Sequence, residues 1–459
     1  MLEPENNPNR SFVVDPPRPL RFIMSRFMSR AVSAGRISKN RAKAETERKT
    51  KRLPHRVDYF HQLDDPYSHL VAQVIADFAA RYDIEIVPHL VRASGGRNQP
   101  EAEKLAIWAR RDCGLIAPHY GLSFPENAGT MPEPEPQKVA GQILAGLPAQ
   151  EFVSKIKDVS TVLWSEDPSG HLSSSTLSAN PQELETALDE GSALLADMNH
   201  YSGGTFHYGG EWYWGVDRLF HLEQRLRDLD VCNSPTEPYL VPRPSHDLGG
   251  VDASGLTLAF FPSLNSPYTS IIYDRTIEMV DACGIKLNHK PVLPMIMRGV
   301  AATSAKGRYI FFDTKREAEF FNVPFGPCVT PIGTPTRRSY SLLPWAKTQG
   351  KDVPLLSKLL NLAFAQGIGL HKLNNIRRAV EEVGLEWQEA KQHLDSSDWK
   401  VITEQNQDEM VDGMGLWGVP SYRLSGPDGE PDLAVWGQDR LWLVAAEIRR
   451  RAALQDMCR

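Results

Sequence analysis

The stretch Phe260–Ser270, FFPSLNSPYTS, matches Tyr59–His69, YFHQLDDPYSH, without a gap at an offset of 201 residues. Each stretch opens on the aromatic end of an apolar run. Each then passes through a short polar loop into Ser-Pro-Tyr or Asp-Pro-Tyr. Ser and Asp are preferred helix N-caps, and Pro suits the first helical position, so the pattern reads as a strand leading into a capped helix. A self-match at this distance marks a repeated structural unit.

Three further matches carry the repeat along the chain. Ala109–Pro125 aligns with Lys315–Pro331 at an offset of 206, Gly203–Phe206 with Val419–Tyr422 at 216, and Trp214–Leu219 with Trp436–Leu441 at 222. The rising offsets read as one duplication with small insertions in the second copy. The last of these is SGPDGEPD (Ser425–Asp432), a longer hairpin turn. The second copy predicts a strand over Leu256–Phe261, a helix from about Ser266 to Cys283 and a strand near Ile285–Leu293. A mostly helical stretch over 313–412 follows, then a hairpin from Val419–Leu424 and Leu433–Trp436, and a closing helix over Arg440–Arg451. A β-α-β half, a helical insertion and a β-β-α half make a thioredoxin-like plan. The expected fold class is therefore α/β, with two tandem thioredoxin-like domains, each with a helical insertion, preceded by a basic N-terminal helix. The expected divisions are a basic arm over 1–55, a diverged domain over 56–230, a Pro/Gly/Ser-rich linker over 231–255 and a second domain over 256–459.

Bulk properties agree. A chain of 459 residues exceeds one ordinary core, since domains run to ~100–200 residues. No apolar run is long enough to span a bilayer, and no secretory signal is evident near residue 1. The five cysteines are scattered and form no C-x-x-C pair, which argues against both a disulfide scaffold and a dithiol redox centre and favours a cytoplasmic setting. The histidines show no metal-ligand spacing, so no metal is expected. Residues 1–17 are rich in Pro and Asn and read as disordered. Between Arg18 and Arg56 lie 13 Lys and Arg against only Glu45 and Glu47. Phe22, Ile23, Phe27, Met28 and Val32 recur there at roughly helical spacing, which reads as a basic amphipathic helix over 20–52. Two readings compete for it: docking on a domain with a solvated charged face, or peripheral contact of residues 18–56 with an anionic membrane or acidic partner. Nucleic acid is not expected, because no aromatic platform or reader motif accompanies the charge.

These motifs resemble the DsbA-like thioredoxin superfamily, and most closely its branch of 2-hydroxychromene-2-carboxylate isomerases and kappa-class glutathione transferases. The resemblance covers about Leu256 to Arg450. It rests on F-x-x-x-N-S-P-Y, D-T-K-R-E-A before Val323-Pro324-Phe325, G-L-W-G-V-P-S and W-G-Q-D-R-L, in that order. It implies that Ser266 holds a glutathione thiolate at a helix N-terminus, where a redox relative carries its C-x-x-C. A hydroxyl there can donate to a thiolate, and the helix end favours an anion. The resemblance also implies a cis-proline at Val419-Pro420, whose backbone pairs with the cysteinyl part of glutathione, and γ-glutamyl contacts from Gln438 and Asp439. The bland alternatives are a plain cap at Ser266, a strand start at Val419 and a surface cap at Gln438 and Asp439. Kappa-class relatives place an Asn after the second strand. Here Met297–Gly307 has none, with Arg298 and Lys306 as the available anion contacts. Arg316 reads as a surface ion pair or a carboxylate guide, and Cys328 as a buried thiol.

In the first copy Asp65 replaces Ser266 and Gly204 replaces the cis-proline. A carboxylate repels a thiolate, so this copy is expected to be unable to use glutathione. Asp65 reads as a helix cap, or as an acid or base for another reaction, and the copy as a scaffold pairing with the second domain. The leading functional expectation is a glutathione-dependent isomerase or transferase of the 2-hydroxychromene-2-carboxylate isomerase type, acting on a small electrophile or aromatic carboxylate. The alternative is a catalytically inert thioredoxin-fold binding or assembly module.

Overall fold

In a computed structural model, which describes residues 15–125, 130–172, 176–300 and 302–457, the chain separates into two compact units, 38–244 and 1–37 with 245–459. The Pro- and Asn-rich segment is described only from residue 15, and Cys458 lies outside the described residues.

In the first unit β1 (Arg56–Gln62) pairs in parallel with β2 (Glu85–Val91) and antiparallel with β3 (Thr205–Tyr208), which pairs with β4 (Glu211–Trp214). In the second unit β5 (Thr257–Phe261) pairs in parallel with β6 (Lys286–His289) and antiparallel with β7 (Ser421–Ser425), which pairs with β8 (Leu433–Trp436). The sheet orders β2-β1-β3-β4 and β6-β5-β7-β8 are the same plan. These are two thioredoxin-like α/β domains, each with a helical insertion between its second and third strands.

The same residue chemistry fixes both central strand pairs. Tyr59 lies opposite Phe206, and Phe260 lies opposite Tyr422. The ring centroids are 4.9 and 5.1 Å apart, so each sheet centres on one Tyr and one Phe in exchanged positions. All four are fully buried. Aromatic pairs of this kind add about 0.5–1.5 kcal/mol beyond their area burial. A buried phenol also needs a polar partner, and each has one. Tyr59 Oη meets His61 Nδ1 at 2.9 Å, and Tyr422 Oη meets Thr276 Oγ1 at 3.3 Å.

Several boundaries depart from the sequence expectation. The second strand of the second unit is only Lys286–His289, because Pro291 and Pro294 close it. The helical insertion begins at Ser304 and not at 313, since Thr303 caps it by accepting from Lys306 N at 3.3 Å. The basic segment is two helices, Arg18–Ala31 and Ala34–Lys51. The longer hairpin turn is present, and buried Arg451 of the closing helix Leu441–Met457 donates to Gly426 O and Pro431 O at 2.6 and 2.7 Å within it. In the linker region, Leu240 N and Val241 N donate to the buried Glu223 carboxylate, which ties that segment to the first unit.

The first unit encloses several imidazoles. His61, His69 and His200 are buried, and burial pushes His61 and His200 down to about 3 and His69 to about 4. The folded unit keeps them neutral, whereas the unfolded chain protonates them below about 6.5. Their stabilising contribution is full above that value. It is lost as pH falls toward the folded values, at up to about 1.4 kcal/mol per pH unit for each imidazole. Hydrogen exchange of β1–β4, corrected for intrinsic rates, is expected to accelerate on acidification through this window. Protection that stays constant from neutral pH to about 4 would refute this assignment.

Candidate functional site

The site in the second unit forms where β5 ends and the helix Pro267–Cys283 begins. Ser266 takes extended backbone angles, φ −121° and ψ 115°, and its Oγ accepts from Thr269 N at 3.1 Å. The cap is real, and it contributes about 1 kcal/mol in typical helices. As an acceptor in that bond, the Ser266 hydroxyl keeps its proton. Among the described residues no acceptor takes it. Ser266 is 6% exposed, so a ligand atom reaching it meets a largely dehydrated donor.

The Val419–Pro420 peptide bond is cis, as the resemblance implies. The β5–β7 register places it: Phe261 lies opposite Ser421, so Pro420 enters the sheet at the end of β5 from which Ser266 follows. Pro420 O accepts from Gly437 N at 2.9 Å. The Val419 N–H and C=O have no hydrogen-bond partner among the described residues, and Ser421 Oγ instead bridges back to Gly418 O at 2.9 Å. Trp436 packs on Gly418 so closely that a Cβ there would lie 1.8 Å from the indole. Arg298 braces the same loop. Its Nη2 donates to Trp417 O at 2.6 Å and its Nε to Leu293 O at 2.8 Å. Burial pushes the guanidinium down to about 10.

Beneath the helix start lies a polar cluster that the sequence did not reveal. Tyr268 Oη donates to Asp313 Oδ2 at 2.8 Å, Arg316 Nη1 stands 3.5 Å from Asp313 Oδ1, and Gln438 Nε2 donates to Glu317 Oε2 at 2.9 Å. Asp313, Arg316 and Glu317 share one face of the helix Ser304–Phe320. Arg316 is therefore not at the surface: its side chain is 11% exposed and that of Asp313 0%. Gln438 is buried and turned toward Glu317, away from the ligand-holding role the resemblance implies. Asp439 is partly exposed, with Arg440 Nη1 at 3.8 Å. Lys306 is half-buried, its ammonium pushed down by burial, and it forms no ion pair among the described residues. Cys328 is buried, and burial raises its thiol. Its N–H donates to Ser29 Oγ at 2.9 Å.

The first unit repeats this frame with different contents. Tyr67 Oη donates to Asp112 Oδ2 at 2.7 Å, across 45 residues, the same separation as Tyr268 and Asp313. This pair corrects the sequence alignment: Asp112 corresponds to Asp313 at an offset of 201, not 206. The signal was a Tyr after the capped Pro and an Asp 45 residues on, in both copies. Gly215 N donates to Gly204 O at 2.8 Å, as Gly437 N does to Pro420 O. Gly204 thus stands in the position of Pro420. It has φ +62°, and a Cβ on it would meet Asp65 Oδ2 at 2.9 Å and Ser68 N at 3.0 Å. Asp65 is the helix cap, accepting from Ser68 N and Oγ at 2.8 and 2.7 Å. The chain before β3 therefore presses on the cap and leaves no space there for a ligand atom.

Burial pushes the Asp65 carboxyl up from about 3.8 to about 6, against the two bonds from Ser68 and with a further push from Asp64. A raised carboxyl disfavours the folded state progressively as pH rises through that interval. Asp65→Asn keeps a good cap. Relative to this variant, the wild type is expected to lose stability from about pH 4 to about 6, read by denaturant midpoints. A pH-independent difference would reject the assignment. Gly204→Ala meets both a positive φ and the cap, and is expected to cost about 2 kcal/mol by the same measurement.

Residues 257–449 match the family model of the DSBA-like thioredoxin domain. No curated protein matches the chain. Among solved structures, the chain is similar to a 2-hydroxychromene-2-carboxylate isomerase at 17% identity and a TM-score of 0.37, covering 44% of this chain and 99% of that one. It is similar to the cytosolic disulfide reductase DsbM from Pseudomonas aeruginosa at 13% identity and a TM-score of 0.33, covering 44% and 100%. It is also similar to a thioredoxin-like oxidoreductase from Silicibacter pomeroyi DSS-3 at 16% identity and a TM-score of 0.29, covering 44% and 90%. The match and the sheet order agree on a DSBA-like thioredoxin fold over residues 257–449.

Proposed function

We propose that the second domain is a glutathione-dependent isomerase or transferase of the 2-hydroxychromene-2-carboxylate isomerase type, and that the two units are tandem copies of which only this one holds a working site. One observation carries the reading. Ser266 offers a nearly dry hydroxyl proton with no acceptor among the described residues at the start of a 17-residue helix, while the backbone of Val419, without a hydrogen-bond partner among those residues, stands ready to add a strand-like ligand. Bound glutathione would supply a thiolate nucleophile for a conjugated small-molecule substrate. The residues do the rest. Ser266 donates to the sulfur and holds its pKa down, aided by the helix end. Val419 orients the peptide through its N–H and C=O. Lys306, which forms no ion pair among the described residues, takes a carboxylate in place of Arg298, whose guanidinium is already engaged by two carbonyls.

A second reading, an inert binding module, draws on Gln438, which faces Glu317 instead of open space. The two readings diverge experimentally. Calorimetry is expected to show glutathione binding by wild type and by Ser266→Ala. The variant is expected to lose about a hundredfold in turnover of a conjugated electrophile, the scale for removing one oxyanion donor. Absence of glutathione binding in both proteins would reject the enzyme reading.

A further inference from the structure

The helix Arg18–Ala31 docks on its unit by the side that an amphipathic pattern would expose. Arg21 and Ser25 are 3% and 5% exposed. Arg21 Nη1 donates to Thr330 O at 2.7 Å and Nη2 to Asp15 at 3.0 Å, while Ser29 Oγ donates to Cys328 O at 3.2 Å and accepts from Cys328 N at 2.9 Å. Arg21, Ser25 and Ser29 follow one another at i, i+4, i+8, so this row faces inward: Arg21 and Ser29 anchor it by hydrogen bonds, Ser25 is buried between them, and the fully buried Val32 lies just beyond the helix. The apolar residues point the other way: Phe22, Ile23 and Phe27 are 63%, 62% and 71% exposed. Exposed large apolar side chains grouped on one helix face mark an interaction surface.

Charge identifies the occupant. Arg26 and Arg30 continue the row of Phe22 at i+4 and i+8, Arg18 stands at the helix start, and Arg36 follows in the next helix, Ala34–Lys51, all exposed. None of the four guanidinium groups meets a carboxylate among the described residues, in a chain whose formal net charge is −6. A second copy would bring the same four cations against themselves. A lipid headgroup layer accepts both chemistries at once: the rings enter the acyl boundary while the arginines reach phosphates, and no shaped pocket is required. No helix among the described residues is long and apolar enough to cross a membrane, so the contact is one of lying on the surface.

We propose that the outward face of Arg18–Ala31 is a docking surface for an anionic lipid membrane, with Phe22, Ile23 and Phe27 inserting and Arg18, Arg26, Arg30 and Arg36 meeting headgroups. This proposal is independent of the chemistry at Ser266. The test is co-sedimentation of the full chain with vesicles of phosphatidylserine mixed with phosphatidylcholine, against vesicles of phosphatidylcholine alone. Wild type is expected to pellet with the anionic vesicles only, and to be released by salt. Phe22→Ser, Ile23→Ser and Phe27→Ser together are expected to weaken partitioning by roughly tenfold or more, as is Arg26→Glu with Arg30→Glu. These positions are solvent-exposed, so circular dichroism and thermal midpoints are expected to match wild type. Wild type remaining in the supernatant, equal pelleting with neutral vesicles, or a triple Ser variant that pellets like wild type would each overturn the proposal. So would a wild-type dimer in sedimentation velocity that the triple variant abolishes, which would assign the face to a second copy.

Discussion

The antiparallel pairing at the centre of each sheet is the constraint from which the rest of each unit follows. In the second unit, Phe260 stacks on Tyr422 across the β5–β7 ladder, and a one-residue shift of register would turn one of the rings out of the core. With that register set, Ser421 must lie opposite Phe261, and the chain entering β7 must pass the loop that leaves β5. The cis bond before Pro420 and the cap of the Pro267–Cys283 helix thereby share one end of the sheet. The first unit obeys the same rule through Tyr59 and Phe206. The site is thus a consequence of strand pairing, and its chemistry depends on which residues occupy two positions that the sheet brings together.

Those two positions differ between the units in a way that chemistry makes consequential. Ser266 is a neutral cap that retains a proton, and the backbone of Val419, before Pro420, has no hydrogen-bond partner among the described residues. Asp65 is an acidic cap that accepts two hydrogen bonds from Ser68, with Gly204 packed directly against it. A raised carboxyl under a tight backbone contact is a closed arrangement. The shared Tyr–Asp bond below each helix start, at the same spacing of 45 residues, shows that the supporting frame persists where the upper part of the site does not.

Polar contacts also govern the N-terminal helix. Its inward row is Arg21, Ser25 and Ser29, of which Arg21 and Ser29 satisfy backbone groups in the segment between two insertion helices, including both the N–H and the C=O of Cys328. A segment without regular structure leaves such groups unpaired, and side chains from another element are well suited to meet them. Once that row is committed inward, helical geometry turns the aromatic rows outward.

The sequence by itself determined the repeat, the strand and helix order, the cap at Ser266 and its counterpart at Asp65. These depend on local chemistry: aromatic strand ends, cap residues followed by proline, and turn residues between short strands. Tertiary structure alone decided the remainder. Gln438 reads as a glutathione contact or a surface cap and Arg316 as a surface ion pair or a carboxylate guide, yet both turn inward, because the helix Ser304–Phe320 offers Gln438 the Glu317 carboxylate and places Asp313 beside Arg316. The alignment around Asp112 slipped by five residues because helix–loop composition is a weaker ruler than a single phenol–carboxylate bond. Hydrophobic periodicity left open whether the basic helix docks by its apolar side or offers that side to a membrane or partner. Periodicity tells which side chains share a face. Which face is buried depends on the unmet hydrogen-bonding groups of the surface beneath it, and those exist only in the folded protein.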